Sequence, residues 1–311
     1  MTAIEPIKVV YLAGNGRSGS TLLDLVLGRI DGCVSLGELV WIWDRGYSES
    51  QLCGCGTPFL DCPFWHRVTR TAFGETLPDT LAELLRLRKR VLRRRYIPRM
   101  VSGGSNEPYR AELSRYTDTL AALYRAISIE SGARVLIDSS KSPVYLYALN
   151  RVPGIELHVV HLVRDSRAVV HSWSRKRIRP EIHWERRYMP RYPLRKSARD
   201  WTRNNLATQL YRFVGKSYVR LRYEDFVRAP SAALGPLLGR LGLSASAIVG
   251  DGGRLAKAVS HTVSGNPMRL SSKDTVISED RLWKTEMPRS RRWLVTALTW
   301  PLLLGYGYFR E

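Results

Sequence analysis

The stretch from Lys8 to Leu23, KVVYLAGNGRSGSTLL, constrains this chain more than any other. A short β-branched run enters a loop of glycines and small hydroxyls, and the loop opens the first turn of a helix. That order brings consecutive backbone N–H groups and the positive helix end to one point, which is a place for an anion. Gly14 and Gly19 have the spacing of the nucleotide loop G-x-x-x-x-G-K-[ST], and Thr21 stands where a Mg²⁺-holding hydroxyl would. The lysine is missing, because Ser20 takes its place. Arg17 instead puts a cation inside the loop, between Gly16 and Ser18. Amides, hydroxyls and one guanidinium neutralise a phosphate or sulfonate without a metal. The plainer alternative is a Gly-rich turn with no ligand.

After the loop, Leu22, Leu23, Val26, Leu27 and Ile30 recur at helical spacing, and Gly32 ends the helix. Two further apolar runs, RVLIDSSK from Arg134 to Lys141 and ELHVVHLVRD from Glu156 to Asp165, read as buried strands with a helix of crossover length between them. Such repetition predicts an α/β protein: a P-loop-type three-layer fold whose central parallel sheet is flanked by helices, built as a single domain over residues 1–311. Ligands of these sheets gather beyond the carboxyl ends of the strands. The residues there are Arg17, Asp138 to Lys141, and Arg164 with Asp165. Ser172 follows Arg164 by eight residues in the next helix, so a guanidinium and a hydroxyl are placed to grip one phosphate. An arginine in a surface ion pair is the ordinary alternative.

Glu38 lies in a strand-like piece, CVSLGELVWIW. A carboxylate among apolar residues is a candidate general base, since desolvation raises its pKa; a cap or salt-bridge glutamate is the alternative. Residues 45–130 read as a helical, Cys-containing insertion with a basic run from Arg86 to Arg99, and SGGSNEP, Ser102 to Pro108, is its clearest loop. Within it, Cys53, Cys55, Cys62 and His66 could form a Cys₃His zinc site, although C-x-C is tighter than usual; a disulfide to Cys62 or free thiols are the other readings. Residues 175–200 mix cations, aromatics and prolines, which suits a long acceptor-binding lid loop, with a helix resuming at 201.

The net charge of +21 attracts polyanions without choosing among them. Two anion sites of different build suit a compound with two separate anionic ends, as 3′-phosphoadenosine 5′-phosphosulfate (PAPS) has. In its motifs the chain resembles the PAPS-dependent sulfotransferase family. R-S-G-S-T at Arg17 to Thr21 is similar to the family's 5′-phosphosulfate loop, and R-(x)₇-S at Arg164 to Ser172 to its 3′-phosphate motif. LRYEDFVRAP, Leu221 to Pro230, brings Tyr223 to the position of a cofactor-contacting tyrosine, while HTVSGNPMR and the pair Trp283, Lys284 resemble a later nucleotide-side loop. The tyrosylprotein and glycan branch, with arginine in the loop and a glutamate base, is the nearest in motif.

The resemblance implies that Gly16, Arg17, Ser18, Gly19, Ser20, Thr21, Arg164, Ser172, Tyr223 and Lys284 hold PAPS, and that Glu38 is the base. Lys141 is the choice for a second cation at the leaving group, and no catalytic metal is required. The acceptor is an unidentified hydroxyl of a carbohydrate, lipid or small metabolite. His183 is an alternative base, while His158 and His161 alternate in a strand and read as structural. One rival, a P-loop kinase or NTPase, predicts Mg²⁺ dependence; the other, a basic nucleic-acid or membrane-surface module, predicts steep salt dependence. The first residues carry no basic n-region, so a cytoplasmic protein is expected. The apolar C-terminal window, WLVTALTWPLLLGYGYF, reads as a core helix with a packed tail, with peripheral membrane contact left open by the flanking RSRRW.

Overall fold

The structure, a computed structural model, describes residues 5–74, 77–102, 107–244, 254–256, 258–271 and 274–309. Strands β1 (Ile7–Gly14), β2 (Cys33–Ser35), β3 (Val135–Lys141), β4 (Ile155–Val163) and β5 (Ser217–Arg222) form one sheet in the order β2-β3-β1-β4-β5. All four pairings are parallel. β3 and β4 lie on opposite sides of β1, so the winding reverses there, and the crevice beyond Gly14 is where such sheets bind ligands. Alternation along β1 sends Val9, Tyr11 and Ala13 into one core and Val10 and Leu12 into another. Both faces are therefore covered, as parallel sheets require.

The helices are α1 (Ser20–Leu27), α2 (Pro63–Phe73), α3 (Leu77–Val91), α4 (Ile97–Ser102), α5 (Glu107–Ser131), α6 (Pro143–Leu149), α7 (Ser166–Ser174), α8 (Leu194–Leu210), α9 (Tyr223–Arg228), α10 (Pro230–Leu241), α11 (Trp283–Glu286) and α12 (Arg289–Gly305). Side chains of α1, α9 and α10 pack on Val10, Leu12, Ile137 and Leu162. The opposite face is covered by α5, α6 and residues 42–91, through Trp43, Trp65, Leu87, Leu120 and Tyr145. These are the three layers the strand pattern predicts. A short antiparallel pair, β6 (Arg254–Leu255) with β7 (Thr275–Val276), stands apart from the main sheet.

The helix expected from 201 begins at Leu194. Pro193 precedes its first turn, and Lys196 pairs with Asp200 at 2.6 Å along one face while Ser197, Ala198 and Trp201 turn inward. A cation-rich sequence hid that periodicity. Most of the Ser102 to Pro108 loop, residues 103–106, lies outside the described residues. The C-terminal window forms α12, with Val295, Thr299 and Leu303 buried and Trp293 and Trp300 exposed, followed by a packed tail at Tyr306 and Tyr308. Among the described residues no helix is long and apolar enough to cross a membrane.

Candidate active site

β1 delivers the chain into the loop at the switch point, and α1 starts at Ser20 with Gly19 as its N-cap. Gly19 stands at φ 91°, and a Cβ there would lie 2.4 Å from the Tyr223 ring, so only glycine lets the loop rest on that tyrosine. Arg17 reaches over Trp173, with 4.7 Å from guanidinium to ring centroid, and its Nη2 touches Met189 Sδ at 2.8 Å. Arg17 Nε and Ser18 Oγ are buried without a hydrogen-bond partner. Buried donors are ordinarily satisfied, so these two in one loop have hydrogen-bonding capacity that no side chain or backbone group around them takes up. Burial, reinforced by Arg177, lowers the Arg17 pKa to about 10, so it stays charged.

Arg164, just past β4, is 5 % exposed. Its Nη1 donates to the Arg17 carbonyl oxygen at 3.2 Å, and its guanidinium lies 4.4 Å over the Tyr223 ring. Nη2 meets the carbonyl of Asp280 at 3.0 Å and its carboxylate at 3.3 Å, while Nε has no partner. The two strand ends chosen from sequence are thus neighbours on one edge of the sheet. Ser172 is buried on α7. Lys284 sits exposed on α11, with its ammonium 5.8 Å from the ring of Trp283, over which the Arg167 guanidinium also lies at 4.7 Å.

On the other side of the loop, the end of β3 positions Glu38. Ser139 N donates to the Gly37 carbonyl at 2.7 Å, and Val40 N donates to Ser140 Oγ at 2.9 Å. Lys141 then folds back, its Nζ 2.7 Å from Glu38 Oε1 and 2.7 Å from the Ser139 carbonyl. The expected elevation of the Glu38 pKa is corrected here. Burial raises it and is the largest single influence, but Lys141, Arg45 and Arg269 together outweigh burial and hold the carboxyl below its ordinary value.

Arg17, Glu38 and Lys141 share a cleft of about 310 Å³ with Gly16, Gly19, Ser20 and Thr21. Several of its walls escaped the sequence reading. Arg45 comes from a π-helical turn, residues 42–48, a rare form with no periodic signature; it bonds Ser264 Oγ and stacks on Trp41 at 4.5 Å. Residues Arg179, Glu181, Met189, Pro190 and Tyr192 of the 175–193 segment also line the cleft. Glu181 takes the Arg179 guanidinium on one oxygen at 2.7 Å, and the other oxygen is buried and unpartnered. Asn266 N donates to Thr21 Oγ1 at 3.2 Å, which brings the HTVSGNPMR segment against the phosphate loop.

His183 is exposed, with its Nε2 3.4 Å from the Ser50 carbonyl, and does not line the cleft. His161 is buried between Tyr218 and Asn205, and burial lowers its pKa to about 4. His158 pairs with Glu156. His66 is also displaced from the role weighed for it. It is exposed on α2, and the imidazole grouped with Cys53, Cys55 and Cys62 belongs to His261. The thiols are free, with Cys55 and Cys62 sulfurs 3.7 Å apart.

A doubly covered parallel sheet with a cationic crevice at its switch point defines a three-layer α/β protein whose glycine-rich loop carries Arg17 and has Ser20 at the position where nucleotide hydrolases have lysine. The chain belongs to the sulfotransferase family, which residues 10–247 match. The sulfotransferase domain from the Synechococcus PCC 7002 olefin synthase is similar in fold, with a TM-score of 0.50 and 19 % identity over 97 % of this chain and 96 % of that one. The sulfotransferase domain from the curacin biosynthetic pathway gives 0.47 and 17 %, covering 95 % and 98 %. No curated protein matches the chain.

Proposed function

We propose that this chain moves a sulfuryl group from PAPS to a hydroxyl of a carbohydrate, lipid or small metabolite. The observation that carries the reading is the bond from Arg164 Nη1 to the Arg17 carbonyl. It sets the Arg164 guanidinium, assigned to the 3′-phosphate end, against the backbone of the loop whose Arg17 is assigned to the 5′-phosphosulfate end. The unpartnered Arg17 Nε and Ser18 Oγ fit the sulfonate end; Arg164 over the Tyr223 ring fits the 3′-phosphate end, with Ser172 and Lys284 assigned there by motif alone. PAPS supplies a sulfur whose bond to the 5′-phosphate oxygen breaks as the acceptor oxygen bonds to it.

Glu38 takes the proton of the acceptor hydroxyl. Arg17 and the loop amides offset charge on the sulfuryl oxygens, a task of positioning and electrostatics like that of phosphoryl transfer. Lys141, paired with Glu38 at 2.7 Å, turns to the bridging oxygen that departs with the electron pair, and this frees the carboxylate. Glu181 is the other carboxylate of the cleft, but Glu38 stands beside the phosphate loop, its Oε1 3.8 Å from the Cβ position of Gly265, which also faces Thr21. Trp41, Trp173 and Tyr192 offer flat walls to an acceptor ring or sugar face.

Radiolabelled PAPS with a panel of hydroxyl compounds tests the reaction. The wild type transfers label to at least one acceptor, and Glu38→Gln loses about 100-fold or more in kcat with donor affinity within a few-fold. Because Glu38 is held ionised, the acid limb of kcat/KM lies below the ordinary glutamate range and activity is flat through neutrality. Full turnover in Glu38→Gln, with loss in Glu181→Gln, would move the base to Glu181.

A further inference from the structure

Cys53, Cys55 and Cys62 meet His261 outside the lining of the cleft, and nothing in the reaction above uses them. Their four ligand atoms all lie within 4.8 Å of one another. Cys55 Sγ is 3.7 Å from Cys62 Sγ, and His261 Nδ1 is 3.3 Å from Cys62 Sγ and 3.9 Å from Cys53 Sγ. A tetrahedral zinc with Zn–S of about 2.3 Å and Zn–N of about 2.0 Å has S···S edges of about 3.8 Å and S···N edges of about 3.5 Å. These three distances lie within about 0.4 Å of those edges, and sulfurs at 3.7 Å are too far apart for a disulfide of about 2.05 Å.

The surroundings fix the ligands as a metal site requires. Phe64 stacks on the His261 ring at 4.8 Å with 16° between the planes, and Trp65 Nε1 donates to the His261 carbonyl at 2.9 Å. The tight C-x-C spacing has its reason in Gly54. A Cβ there would lie 2.4 Å from Thr262 Oγ1 and 2.7 Å from the Ser260 carbonyl, so glycine lets the cysteine turn press against the histidine loop. Gly54 N also donates to the Thr262 carbonyl at 3.0 Å.

We infer that Cys53, Cys55, Cys62 and His261 bind one structural zinc ion. All four positions are filled by protein ligands, which marks a closed, non-catalytic site. The metal joins the insertion to residues 261–266. Two residues on, Val263 N donates to the Leu36 carbonyl at 2.8 Å and Glu38 N donates to the Val263 carbonyl at 2.6 Å. Zinc therefore acts on the cleft only by positioning Glu38 and the Asn266 turn. The inference stands on ligand geometry and is independent of the proposed donor and acceptor.

The test uses the full chain, without a histidine tag, purified under reducing conditions from zinc-supplied cells. Elemental analysis is expected to give about one zinc per chain, and X-ray absorption to give three sulfurs at about 2.3 Å and one nitrogen at about 2.0 Å. His261→Ala and Cys62→Ser lose the zinc, whereas His66→Ala keeps it. Since a cysteine variant can misfold, cobalt loading of reduced wild type provides a second readout, the visible spectrum of a tetrahedral cobalt thiolate. Chelation of the wild type lowers its melting temperature. Protein that holds no zinc and takes up no cobalt overturns the inference, as does His261→Ala retaining the full zinc content and an unchanged spectrum.

Discussion

Arg17 stands at φ 71° and Lys141 at φ 63°, in the left-handed region where an L side chain is strained, and both put a cation into the same cleft. Backbone strain at a site is kept for what the side chain does there. Arg17→Gly removes strain on the order of 1 kcal/mol together with a partly unpaired buried cation. It is expected to melt about 2 °C higher than the wild type by calorimetry, while binding donor about 100-fold more weakly. A lower melting temperature with intact binding would contradict that role. Asp24, on α1, has its carboxyl pushed up to about 7 by burial. An unfolded aspartate ionises near 4, so between about pH 4 and 7 only the folded chain keeps the proton, and stability falls as pH rises through that window. Asp24→Asn flattens the fall in a series of thermal melts; an unchanged slope would remove the assignment. Arg17 and Arg164 were legible because each ends an apolar strand and opens a helix. Arg45 and Glu181 were not, since a π turn and an irregular segment leave no period to read.

Among elements, the segment from His261 to Asn266 sets the backbone on which Glu38 stands. Gly37, at φ 74°, pairs with Val263, and a Cβ on it would lie 2.4 Å from the Val263 carbonyl oxygen and 2.9 Å from its nitrogen. Backbone atoms on both sides cannot yield. Gly37→Ala is expected to cost about 2 kcal/mol in denaturant melts and to lower kcat more than donor affinity, because Glu38 moves while Arg17 and Arg164 do not. Wild-type kcat would show that the pairing does not set the carboxylate. Sequence spacing proposed His66 as the companion of the cysteines, since it is local. The true neighbour is 199 residues from Cys62 in the chain, and only the return of that late segment to the edge of β2 brings it there. The start of α8 was hidden for a different reason: arginines and lysines fill its outward positions, and the few inward residues are spread too thinly to announce a helix.

At the scale of the whole molecule, a sheet ordered β2-β3-β1-β4-β5 gathers the ends of β1, β3 and β4 at one edge, so residues 17, 38, 141 and 164 converge from four distant parts of the chain. Strand repetition foretold the parallel three-layer sheet, and the fold of the similar sulfotransferase domain agrees with it. The charge of +21 draws many anions toward that edge, but charge alone does not distinguish a bisphosphate from ATP. The separation of two cationic ends does. The most direct measurement is titration calorimetry of the wild type, Arg17→Ala and Arg164→Ala with adenosine 3′,5′-bisphosphate and with ATP, each with and without Mg²⁺. The account predicts tight, Mg²⁺-independent binding of the bisphosphate, preferred over ATP at least about tenfold, with both variants weakened. Equal or tighter binding of Mg²⁺–ATP, or indifference to Arg164→Ala, would contradict it.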